Sequence, residues 1–145
     1  MIAMGLWAGC AGGRALWAWP AAFMAILAAG ALVGHVEPGL PGIDPGIALS
    51  VLALGALIAL KASPPLAVGA AICAAFAFFH GHAHGAELPA GADLPYYAGG
   101  FVLATGLLHA VGVALGSCLT RAPVRWLPPL TGSAIAVAGL LFLAR

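Results

Sequence analysis

The sequence predicts an all-α protein: a polytopic bundle with five full transmembrane spans and a short N-terminal apolar helix. Residues 1–145 form a single transmembrane domain. Three observations lead there. Of 145 residues, 63% are apolar and only 6% charged, with a mean hydropathy of +1.11, whereas a soluble domain carries about a quarter charged residues. Apolar runs near the length of a bilayer crossing, about 20 residues, alternate with short links rich in proline, glycine and charge. The charges also sort by link. Arg14, Lys61, Arg121 and Arg125 fall on one side of an alternating topology, and Glu37, Asp44, Glu87 and Asp93 on the other.

Taken in order, residues 1–12 are apolar but short, closed by Gly12-Gly13-Arg14. Residues 15–34 make a full span in which Pro20 is tolerated as a kink. A loop over 35–44 holds Glu37, Pro38, Pro41 and Asp44. The span 45–60 opens on proline in its favoured first-turn position, and 61–65 is a tight turn. The next span, 66 to about 84, ends in histidines. An acidic loop covers 86–95, a long span 96 to about 120, a basic loop 121–129, and a last, shorter span 130–144.

The positive-inside rule puts the basic links in the cytoplasm. The histidine-rich end of 66–84 and His35 then face outside, as does Arg145, a lone basic residue there. Trp17, Trp19 and Trp126 near the basic boundary, and Tyr96 and Tyr97 near the other, fit aromatic belts. Gly30/Gly34, Gly81/Gly85 and Gly112/Gly116 are small-residue pairs that let helices approach closely in lipid. Cys10, Cys73 and Cys118 are isolated in apolar runs and read as small hydrophobes, with no disulfide or metal assigned. The N-terminus lacks the basic n-region of a signal peptide. A formal charge of +1 and five scattered basic residues exclude a nucleic-acid partner.

Residues 79–87, Phe-His-Gly-His-Ala-His-Gly-Ala-Glu, gather three of the five histidines. Neutral imidazole suits nickel, zinc, copper and iron, and ionisable groups at or within a span are functional candidates by default. On a helix His80, His84 and Glu87 share a face and His82 points away. If Gly81 and Gly85 unwind the segment, all three histidines fall on one side instead. His109 lies mid-span, where it must find a partner on another helix, line a wet path, or bond a nearby carbonyl or Thr105. Outer cluster and deeper His109 together suggest stepwise ligand exchange for a divalent cation.

Several segments resemble the HupE/UreJ family, membrane proteins associated with hydrogenase and urease gene clusters. They are Gly5-Leu-Trp-Ala, Gly12-Gly-Arg-Ala-Leu-Trp, Pro20-Ala-Ala-Phe, Leu40-Pro-Gly-Ile-Asp-Pro-Gly, Phe79-His-Gly-His-Ala-His-Gly-Ala-Glu-Leu-Pro, Tyr97-Ala-Gly-Gly-Phe-Val-Leu-Ala-Thr and Leu108-His109. The resemblance implies a secondary permease of nickel, or of cobalt, in a bacterial inner (cytoplasmic) membrane, supplying metalloenzyme maturation. It places His80, His82, His84, Glu87, His109 and Asp44 at motif positions for metal. It implies no tightly bound cofactor, Ni2+ or Co2+ being the transported ion. Family members usually carry a further His-Pro…Gly-x-Asp-His motif just before the Leu-Trp-Ala segment, so more imidazole and carboxylate ligands are expected from an upstream segment. The expected partners are the lipid bilayer and the divalent ion, with a homo-oligomer left open.

Other readings compete. A non-transporting accessory or sensor would bind the ion outside and hand it on. A haem protein would use His80 and His109 as axial ligands, but the two are expected at different depths. An intramembrane hydrolase would need a serine beside a histidine, and Ser117 lies about 12 Å along the helix from His109. No enzyme activity is expected.

Overall fold

The computed structural model describes residues 1–89 and 91–144; Arg145, expected on the acidic side, lies outside them. The described residues form six α-helices and no strand: α1 (Ile2–Ala11), α2 (Ala15–Val36), α3 (Ile43–Ala59), α4 (Leu66–Ala86), α5 (Leu94–Arg121) and α6 (Leu127–Leu143). α2, α4 and α5 have 22, 21 and 28 residues, long and apolar enough to cross a membrane. α3 and α6, expected as full spans, have 17 residues each, about 26 Å at 1.5 Å per residue. α1 is the expected short helix.

α2 and α4 start at the expected residues, whereas α3, α5 and α6 start two or three residues earlier than hydropathy alone suggests. Pro45 lies in a first turn, as expected, and Pro95, Pro128 and Pro129, expected in links, lie in first turns too, where a missing N–H costs nothing. Asp93 caps α5 by accepting the Tyr96 N–H at 3.2 Å, meeting one of the donors a helix start leaves open. Gly12 and Gly13, at φ 73° and 55°, turn the chain between α1 and α2 in the left-handed region open to glycine.

Three helix pairs carry the packing: α2 along α4, α1 along α5, and α3 along α6. The first two pairs run parallel and the third antiparallel. In each, glycine brings backbone against backbone. A Cβ on Gly34 would overlap the His82 carbonyl, one on Gly85 the Ala31 carbonyl, and one on Gly5 the His109 carbonyl. The glycine pairs read from the sequence are packing sites, and Gly5/Gly9 of α1 joins them against Gly112 and Gly116.

The core lies between these pairs. On α2, Trp19, Phe23, Leu27 and Ala31 are buried at intervals of four, one helical face. They meet Met4 and Trp7 of α1, Leu54 and Ile58 of α3, and Cys73 and Ala77 of α4. Trp19 therefore departs from the expected belt. It is 1% exposed and stacks on Trp7, whereas Trp17 and Trp126 are exposed; its place on the core-facing stripe decides this.

Overpacking a tight contact costs about 1–3 kcal/mol. Gly34→Val or Gly85→Val should accordingly lower the thermal midpoint in detergent or abolish the folded fraction. Gly99→Ala and Gly100→Ala, which meet nothing within 4 Å, should leave it in place.

Candidate functional site

α4 stays helical through Ala86, so the histidines diverge as a helix requires. His80 turns toward α3 and α2. Its Nε2 lies 3.0 Å from Ser50 Oγ, and its ring centroid 6.0 Å from that of Phe23. The Ser50 hydroxyl has one proton, and it goes to the Ile47 carbonyl at 2.6 Å. Ser50 Oγ must then accept from His80, which assigns the proton to Nε2 and leaves the lone pair on Nδ1.

His82 points the other way, as expected. Its Nε2 lies 2.9 Å from the backbone carbonyl of Glu37. A carbonyl only accepts, so Nε2 again carries the hydrogen. Nδ1 is left with no hydrogen-bond partner, on a residue 1% exposed. Two histidines are thus held with Nδ1 free, the arrangement that metal-binding imidazoles adopt when the second nitrogen is anchored.

His109 is 2% exposed, and neither ring nitrogen has a hydrogen-bond partner among the described residues. The bond to Thr105 or to a nearby carbonyl, one of the alternatives read from the sequence, is not made. Its ring meets Phe23 edge-on, with centroids 4.8 Å apart. The rings of His80 on α4 and His109 on α5 thus both lie against Phe23. His84 stacks on Phe101 of α5, with centroids 5.0 Å apart. His84 and His109 are both close enough to His80 to interact with it electrostatically.

Glu87 was expected on the face of His80 and His84. It lies just past the end of α4, and with Asp44 and His82 it lines an open cavity of about 350 Å³ at the acidic end. The predicted site residues thus sort into two groups: Asp44, Glu87 and His82 line the open cavity, while His80 and His109 meet at Phe23 and His84 stacks on Phe101. Among the described residues, no three His, Cys, Asp or Glu side chains converge to enclose a metal ion. The donors are nitrogen and oxygen, which divalent first-row metals accept, and their buried orphan nitrogens have unmet bonding capacity.

Ser50, Phe23 and the Glu37 carbonyl were not singled out by the sequence reading. Ser50 alone carried a signal, being the one polar residue within 45–60. Ser50–His80 is a serine–histidine contact, but the proton runs from imidazole to hydroxyl, the reverse of nucleophile activation. Ser117 makes no bond to His109, whose nitrogens are both unpartnered.

Nitrogen-15 NMR of histidine-labelled protein should show His80 as a single Nε2–H tautomer. Ser50→Ala should release it to a mixture and Ser50→Thr should restore it.

No solved structure matches this chain. The sequence profile of the HupE/UreJ protein family matches residues 1–142. A relative described as "Protein HupE", from Rhizobium leguminosarum bv. viciae, is 38% identical over 143 residues, covering 99% of this chain and 75% of the relative. The resemblance carried by the motifs thus holds over the whole length, and the chain belongs to the HupE/UreJ family of hydrogenase and urease accessory proteins.

Proposed function

We propose that this chain is a secondary permease that carries nickel, or cobalt, inward across a bacterial inner membrane for metalloenzyme maturation. The observation that supports it most is His109, an imidazole sealed in an apolar core with both nitrogens unpartnered. Each unsatisfied buried group costs about 1–3 kcal/mol, a cost that an arriving cation offsets. Family membership supports the link to hydrogenase and urease.

In this reading the basic links are cytoplasmic, following the positive-inside rule. Asp44 and Glu87 draw the hydrated ion into the mouth, and His82 gives it a first nitrogen through Nδ1. The ion then passes to His80 and His84 and on to His109, exchanging one ligand at a time. A site that held it with three or four converged ligands would bind tightly and release slowly. The dispersed donors suit transit. The described donors also suit zinc and copper, which the Irving–Williams order does not disfavour, so selectivity for nickel or cobalt comes from geometry during transit.

A second reading, an accessory protein that binds the ion without moving it, differs in flux alone. Labelled-nickel uptake by cells expressing the protein separates the two. His80→Ala and His109→Ala should each cut uptake by an order of magnitude or more. Asp44→Asn with Glu87→Gln should raise the half-saturating nickel concentration more than it lowers the maximal rate. Uptake unchanged in both histidine variants would sink the permease reading, and binding without uptake by the parent would favour the accessory one.

A further inference from the structure

Below the histidines, toward the basic end, two indoles block the way. Trp7 of α1 and Trp19 of α2 are each 1% exposed, stacked with centroids 4.2 Å apart and planes 30° apart. Trp19 lies one helical turn from Phe23, the residue that both His80 and His109 touch. On the other side, Trp7 lines a cavity of about 210 Å³ with Cys10, Lys61, Ser63, Thr120 and Arg125. The order along the bundle is therefore histidine layer, indole pair, basic cavity.

The pair is tied rather than merely packed. Trp7 Nε1 donates to the Ala62 carbonyl at 2.9 Å, and Trp19 Nε1 to the Leu66 carbonyl at 3.0 Å. Both acceptors belong to residues 60–66, the link between α3 and α4 together with the first residue of α4, which hold Pro64 and Pro65 and so bend little. Lys61, at φ 52°, fastens the same link to the next one by donating from Nζ to the Arg125 carbonyl at 3.0 Å. Gly69, just inside α4, leaves the space that the Trp19 ring fills. Moving this one link would release both indoles together.

We infer that the Trp7–Trp19 stack is the gate at the basic end of the ion path, latched by the 60–66 link. The inference rests on the permease reading, and alternating access gives it a purpose: an ion at His109 must be shut off from the basic cavity while the mouth is open. In a stacked pair the indole faces cover each other and both N–H groups are held by backbone carbonyls, so the pair stays closed until the link shifts.

Two native thiols bracket the gate. Cys10 lines the basic cavity. Cys73 is wholly buried in the same core as the indoles, one turn beyond Gly69 toward the acidic end. A membrane-impermeant maleimide applied to inside-out vesicles, with labelling read residue by residue by mass spectrometry, tests the gate. In the unsubstituted protein Cys10 should react and Cys73 should lag by an order of magnitude or more, as a site reached only through an opening event does. Trp7→Ala or Trp19→Ala should bring Cys73 near the rate of Cys10, whereas Trp7→Phe and Trp19→Phe, which keep a ring in place, should protect it. Should the alanine variants not fold, added nickel provides the opening instead and should speed Cys73 labelling in the unsubstituted protein.

Cys73 as reactive as Cys10 without substitution overturns the gate. So does protection that persists in folded alanine variants, or that nickel leaves unchanged while nickel flux is present. Nickel flux with Cys73 always open overturns the gate alone; absent flux with Cys73 protected, and opened by Trp19→Ala, overturns the permease reading alone.

Discussion

The arrangement of this bundle depends on backbone-to-backbone contact at glycine. In lipid there is little hydrophobic drive between helices, so association rests on close packing. Here that contact also sets position. Gly34 of α2 abuts the backbone of His82, and Gly5 of α1 abuts the backbone of His109. A side chain at either glycine would push away the helix that carries an imidazole. The glycines thus fix where the histidines stand, and through the parallel pairing of α2 with α4 and α1 with α5 they bring His80 and His109 to Phe23 from different helices.

The second constraint is the cost of polar groups in an apolar interior. The chain meets it unevenly. His80 and His82 each satisfy Nε2, one through Ser50 and one through the Glu37 carbonyl. His109 satisfies neither nitrogen. A fold selected only for stability would have little use for such a residue, since replacing it by an apolar side chain of similar shape can be neutral or stabilising. The uneven pattern suits the proposed cation path: anchored imidazoles on α4, an unanchored one on α5, and, among the described residues, no cage that would hold the ion.

Much of this was legible in the sequence. Low charge and six apolar runs give the helices and their order, and the links sort their charge because alternate links share an end. The direction of each histidine on α4 follows from helical periodicity once the segment is known to stay helical. Other features depend on tertiary register, which one-dimensional periodicity does not contain. The contacts of Ser50 with His80 and of Trp7 with Trp19 join residues 30 and 12 positions apart. Trp19 looked like a belt residue because it neighbours Trp17, yet two residues on a helix point to very different sides. The cavity that Glu87 shares with Asp44 joins residues 43 positions apart.

The central claim is that buried imidazoles hold the ion in transit. X-ray absorption at the nickel edge of the purified, nickel-loaded protein tests it most directly. The account expects nitrogen ligands with the outer-shell scattering of imidazole, weakened in His80→Ala and in His109→Ala. An oxygen-only shell, or an imidazole signal that neither substitution alters, would contradict it.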